Sequence, residues 1–170
     1  IQGAALSSAH PVVAVDIFDN RLDMAGKFGA THRIKTASGC DLEAELNRVL
    51  DGQGADVVID NTGNTDMINL AYSLTKPAGR TILVGVPKKG DNISVYSLDL
   101  HFGKVLTGSH GGETDPGTDI PRYINLYKNK KLLLDDLITA RFGLDEINTA
   151  LEQMKDGTMA GRCVIDMDKK

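Results

Sequence analysis

The chain has 170 residues, enough for one domain with its own core or for one domain with a small appendage. With 41% hydrophobic and 25% charged residues it is neither disordered nor membrane-like in composition, and a formal net charge of −4 gives nucleic acid nothing to grip. No apolar run approaches the roughly 20 residues of a membrane span, no basic signal-peptide region opens the chain, and Cys40 and Cys163 lack CxxC or CxxH spacing, so a soluble protein of a reducing cytoplasm is expected.

Ile1 to Ser8 read as a helix already under way, with Ile1, Ala4 and Ala5 on one face. Val12 to Asp16 follows as a strand, and Arg21 to Phe28 as a helix closed by Gly29. His32 to Lys35 is a weak strand. Asp41 to Leu50 is a helix whose Leu42, Leu46, Val49 and Leu50 form one stripe expected to be buried. Ala55 to Asp60, "ADVVID", is a second strong strand, followed by Asn61-Thr62-Gly63 and a helix facing inward through Met67, Leu70, Ala71 and Leu74. After the turn Lys76-Pro77-Ala78-Gly79 comes the third strong strand, "RTILVGV". Strands alternating with helices in this way predict a doubly wound α/β fold with a mainly parallel sheet.

Beyond Val86 the rhythm changes. "NISVYS" is expected to be an edge strand used in dimerisation, and "KVLTGS" to rejoin the sheet. Two amphipathic helices remain, one with Ile120, Tyr123, Ile124 and Tyr127 in register and one with Ile147, Ala150, Leu151 and Met154 stopped by Gly157. "GRCVID" closes the chain as a last strand.

Ligands of doubly wound sheets sit beyond the carboxyl ends of the strands, which here are Asp16, Asn61-Thr62-Gly63, Val84-Gly85-Val86 and Gly108-Ser109-His110. An acidic residue after the second strand of a dinucleotide fold can accept both hydroxyls of the adenosine ribose and repel a 2′-phosphate, which favours NAD over NADP. Asp16 reads equally well as a flank of the next helix start, and Arg21 as a solvated charge. Gly63 and Gly85 suit close approach of a ligand to the backbone, or simply turns. The four histidines, His10, His32, His101 and His110, are dispersed without ligand spacing, so no metal site is expected within the chain. Gly111-Gly112 reads as a hinge or turn rather than a phosphate cradle.

Taken in order, "IQGAALSSAHPVVAVDIFDNRLDMAGKFGATH", "GADVVIDNTGN", "GRTILVGVP", "HFGKVLTGSHGG" and "GRCVID" resemble the zinc-type alcohol dehydrogenases of the medium-chain dehydrogenase/reductase superfamily, nearest the polyol, sugar and threonine branches. The resemblance covers essentially the whole chain. It implies a Rossmann-type sheet lacking its first strand and glycine-rich turn, which the family places just before the segment matching Ile1. It also implies an N-terminal half, outside these residues, that carries zinc and the proton relay. Residues 1–109 would then form the NAD-binding domain and 110–170 would rejoin the catalytic domain. Asp16 and Arg21 match ribose-holding positions, Thr62 and Gly63 the loop at the cofactor's centre, and Val84, Gly85 and Val86 the nicotinamide lining. Gly108 and His110 match positions that bind the carboxamide through backbone, and Arg162 a late arginine reaching the pyrophosphate.

The function so implied is hydride transfer between an alcohol or polyol and NAD by a homo-oligomer, with this portion inactive alone and able to self-associate through unpaired strand edges. Alternatives are a zinc-free NADPH quinone or enoyl reductase of the same superfamily, disfavoured by Asp16, and a non-catalytic NAD-sensing domain, disfavoured by the tail from "HGG" to "GRCVID". A methyltransferase-like domain lacks support from the late strands and the glycine placement.

Overall fold

The computed structural model describes residues 1–36 and 39–168. In chain order the elements are α1 Gln2–Leu6, β1 Val13–Asp16, α2 Asp19–Lys27, β2 His32–Lys35, α3 Leu42–Val49, β3 Ala55–Asp60 and α4 Thr65–Leu74. They continue with β4 Thr75–Leu83, β5 Val105–Gly108, α5 Pro116–Lys128, β6 Ile138–Phe142, α6 Ile147–Lys155 and β7 Arg162–Ile165. Every strand pairing is parallel, and the strands form three ladders, β1-β2, β3-β4-β5 and β6-β7. The α/β class with parallel pairing follows the sequence pattern. Among the described residues β1 has β2 as its sole ladder neighbour, and β3 has β4.

The elements gather into two compact units, residues 1–40 with 116–170, and residues 41–115. In the first, α2 is the crossover between β1 and β2, whose register runs from Val13 opposite His32 to Asp16 opposite Lys35. Leu22 and Phe28 turn inward with Val12, Ala14 and Ile34, so apolar burial fixes this unit. Thr31 seats the strand start, its Oγ1 accepting from Val12 N at 2.9 Å and donating to Val12 O at 3.1 Å. The Gln2 side chain pairs both ways with the Leu133 backbone, at 2.8 and 2.7 Å.

The pair β6-β7, joined through α6, belongs to the same unit. β6 has no counterpart in the sequence-based expectations, because Ile138-Thr139-Ala140-Arg141-Phe142 is short and interrupted by a charge; pairing with β7 defines it. Gly157 is the stop expected for α6, and its φ is +71°. The apolar rows of α5 and α6 differ from expectation: Ile120, Tyr123, Ile124, Leu151 and Met154 are exposed, and Ala150 alone of the named positions is buried.

In the second unit β3, β4 and β5 lie side by side, with α4 crossing from β3 to β4. Asn64 caps α4 through Oδ1, which accepts from Asp66 N at 2.9 Å and Met67 N at 3.1 Å. Its inward face is Ile68, Ala71, Tyr72 and Leu74, whereas Met67 and Leu70 are only half-buried. The stripe expected on α3 is likewise half-buried, with no residue of that helix in the core. The β3-β4 register jumps from Ala55 opposite Thr75 to Val57 opposite Arg80, so Lys76 to Gly79, expected as a turn before the strand, lie instead inside β4 as an irregularity, with Ala78 at φ +61°.

"NISVYS" is not a strand. Ser94 N donates to the Asn69 side chain at 3.1 Å and Tyr96 O accepts from the Tyr72 hydroxyl at 3.0 Å. Polar groups that a ladder would have used therefore go to side chains of α4, and Ser97 already begins a 3-10 turn running to Phe102.

Candidate cofactor-binding site

In the first unit, β1 ends in Asp16 and the chain turns into α2 within three residues. The turn is made by Asp16 itself, whose Oδ1 accepts from Phe18 N at 3.0 Å. Arg21, one turn into α2, lies with its guanidinium 4.6 Å over the Phe18 ring and 3.9 Å from Asp16 Oδ1. The two partners are about a third exposed, so the pair contributes at most about 1 kcal/mol and can exchange partners readily. No protein donor among the described residues bonds Asp16 Oδ2, so one carboxylate oxygen is left for an incoming hydroxyl. Asp16 thus flanks the helix start through one oxygen, as one of its two sequence readings has it, and its other oxygen takes no protein donor among the described residues.

Phe18 is clamped from its other side. A β-carbon at Gly157 would lie 2.1 Å from the Phe18 ring, and the Asn20 amide donates to Gly157 O and Thr158 O at 3.1 and 3.2 Å. The turn after α6 is thus packed on the start of α2. Arg162 opens β7 exposed, bonding Gly161 O at 3.4 Å.

In the second unit the strand ends cluster around Asp60, a buried carboxylate with 4% of its surface exposed. Its Oδ1 accepts from Thr62 Oγ1 at 2.6 Å and Thr62 N at 3.2 Å, and its Oδ2 from Gly63 N at 2.9 Å. Its backbone oxygen accepts from Val84 N at 2.8 Å and Gly85 N at 3.0 Å. Asp60 was not among the residues singled out from sequence, although an acidic residue closing an apolar strand was the available signal.

The glycines divide into two kinds. A β-carbon at Gly85 would meet Gly63 N at 2.2 Å, and one at Gly63 would meet Val86 O at 2.5 Å. These two glycines therefore serve an approach of the chain to itself, and Gly63, at φ +66°, also takes the turn conformation that its sequence position allows. Gly108 is different: a β-carbon there would meet nothing within 4 Å, so the space beside it is open. Val84 and Val86 are exposed, Val86 at 88%. His110 follows β5 and leads into a 3-10 turn in which Gly111 and Gly112 both have positive φ.

In the first unit a carboxylate oxygen without a protein donor among the described residues stands at a strand end, as a sugar hydroxyl would need; in the second, exposed apolar side chains and open glycine backbone stand at strand ends. No group of three or more His, Cys, Asp or Glu that could hold a metal ion lies among the described residues. No helix among them is long and apolar enough to cross a membrane.

Comparison with known proteins agrees with this architecture. The benzyl alcohol dehydrogenase of Acinetobacter calcoaceticus superposes with a TM-score of 0.86 at 28% identity, covering 97% of this chain and 45% of that one. A zinc-binding dehydrogenase from Sinorhizobium meliloti, solved with NADP, superposes at 0.75 with 25% identity over 89% of this chain and 44% of its own. In sequence, the chain is 37% identical over 169 residues to S-(hydroxymethyl)glutathione dehydrogenase of Aspergillus oryzae, which covers 98% of this chain and 44% of the relative. It is 32% identical over 170 residues to alcohol dehydrogenase 2 of Oryza sativa, 99% of this chain and 45% of the relative. The chain spans less than half the length of these relatives. The pattern of the zinc-binding dehydrogenases matches residues 1–129, and the chain belongs to that family.

Proposed function

We propose that this chain is the NAD-binding portion of a zinc-type alcohol or polyol dehydrogenase. The observation that supports NAD is Asp16, whose Oδ2 takes no protein hydrogen bond at the end of β1. There it would accept the ribose hydroxyls and oppose a 2′-phosphate. Arg21, stacked on Phe18, would pack along the same ribose. Thr62 and Gly63 would face the centre of the cofactor, Val84, Gly85 and Val86 would line the nicotinamide and exclude water, and Gly108 and His110 would hold its carboxamide through backbone groups. Arg162 would reach the pyrophosphate.

When bound, the nicotinamide supplies the hydride acceptor or donor; the chain's own residues orient it. Zinc, the proton relay and the alcohol pocket belong in this proposal to residues outside 1–170, so these residues alone are expected to bind without turnover. The domain division at residue 109 and a homo-oligomeric state are part of the same proposal. The free thiols Cys40 and Cys163 suit a reducing, cytoplasmic setting.

A second reading, NADP binding, is favoured by Arg21 standing 3.9 Å from Asp16, where it could turn to a 2′-phosphate. Fluorescence titration with NADH and NADPH separates the two. NADH binding at least about tenfold tighter than NADPH, lost in Asp16→Ala, is expected; equal or tighter NADPH binding would establish the second reading.

A further inference from the structure

We infer that Asp60 is a positioning residue for the nicotinamide half of the cofactor site, an inference that rests on the dinucleotide proposal above. Among the described residues it is the one whose groups bond both loops assigned to that half: the carboxylate holds Thr62 and Gly63, and the backbone oxygen holds Val84 and Gly85.

The geometry makes the side chain a setting device rather than a filler. A carboxylate has only acceptors, and here three donors from two successive residues converge on it, two of them backbone N–H groups. Their convergence orients the 62–63 peptide. Gly63 then stands at φ +66°, where a β-carbon on it would meet Val86 O at 2.5 Å, and a β-carbon on Gly85 would meet Gly63 N at 2.2 Å. The two loops thus approach each other where only glycine fits, so a displaced 62–63 peptide presses on the 84–86 backbone. The carboxylate of Asp60 therefore sets where the 84–86 segment lies, although it touches that segment only through its main chain.

The consequence is selective. Asp16 and Arg21 belong to the other compact unit, whereas the bonds of Asp60 described above lie within its own, so loss of the carboxylate should weaken recognition of nicotinamide and leave recognition of adenosine ribose alone. An asparagine at position 60 offers an NH₂ where Gly63 N–H or Thr62 N–H needs an acceptor, which converts one attraction into a donor-donor conflict.

The test titrates the chain and its Asp60→Asn variant with NADH and with ADP-ribose, which has the adenosine ribose and pyrophosphate but no nicotinamide. The variant is expected to bind NADH about tenfold or more weaker, to bind ADP-ribose within about twofold of the parent, and to lose the emission shift of bound NADH. An unchanged ratio of NADH to ADP-ribose affinity would overturn the inference. A parent chain that binds neither ligand would instead overturn the dinucleotide proposal, and this one with it. Should Asp60→Asn fail to fold, Thr62→Val decides, because Thr62 is exposed and the change removes one donor to Asp60. A loss of about threefold or more for NADH, with ADP-ribose unaffected, supports the role; no selective loss removes it.

Discussion

The two compact units bury different chemistry. In residues 1–40 with 116–170 the described core is apolar: Val12, Ala14, Leu22, Phe28, Ile34 and Ala150. In residues 41–115 the apolar face of α4 shares the interior with Asp60, Thr75, Thr81 and Lys104. Each of these polar groups is satisfied. Thr75 Oγ1 bonds Ala71 O at 2.8 Å and Thr81 Oγ1 at 2.7 Å, and Lys104 Nζ donates to Tyr72 O at 2.9 Å and Asp99 at 3.1 Å while lying 4.4 Å over the Tyr72 ring. Apolar packing tolerates small slides, whereas a satisfied polar network specifies one arrangement. The unit that, on the proposal above, would offer two loops to one ligand group is the one whose interior fixes position most strictly.

The largest expected effects test what the units share. Leu22→Ala in the first and Ile68→Ala in the second should each cost about 2–5 kcal/mol, read from urea midpoints. If Ile68→Ala falls well short of Leu22→Ala, then burial by α4 matters less in the polar unit than its complete enclosure implies.

The difference between the units is tested next by Lys104→Met, which keeps the stem and removes the charge. Tyr72 O keeps the Thr75 N–H but loses the ammonium, and Asp99 loses its partner, so a loss of about 1–3 kcal/mol is expected. Amide exchange should quicken in β4 and β5 while β1 and β2 stay protected; equal quickening in both would dissolve the distinction. Asn64→Ala removes the cap of α4 and should cost about 1 kcal/mol, seen as faster exchange at Asp66 and Met67, the two amides its side chain accepts from.

The smallest effect is alkaline. Burial, and secondarily the Asp99 carboxylate, pushes the Tyr72 phenol above its usual value near 10. The folded chain thus holds this proton more tightly than the unfolded one. Its stabilisation is complete below about pH 10 and is lost as pH climbs through the raised value. In the other unit Tyr127 is also raised, first by its hydrogen bond to Asp135. Tyr72→Phe should flatten the alkaline decline of the urea midpoint; an unchanged slope would place that decline elsewhere.

Much of this fold was legible because its strongest elements carry local signals. β1, β3 and the 80–83 part of β4 are the strong apolar strands of the sequence, and α2 and α4 begin and end near the residues that their patterns suggested. What escaped depends on partners far along the chain. β6 exists through its pairing with β7, and "NISVYS" is drawn off its expected ladder by Asn69 and Tyr72, which lie more than twenty positions earlier. The inward row of α4 was misplaced for the same reason: Ile68 and Tyr72 share a face with Ala71, and the sheet beneath decides which row of an apolar helix is covered. At the site, Asp16 could be named from its place after a strand, but the double role of Asp60 is a property of three donors meeting in space.

The contact between Gly157 and Phe18 bears on how this sequence can change over time. Because a β-carbon at 157 would overlap the ring, position 157 cannot acquire a side chain while an aromatic stands at 18. Position 18 can shrink first, and only then can 157 grow. The order of mutational steps is thereby one-way, and related sequences should hold either an aromatic with glycine or a small residue with a side chain, rarely both large.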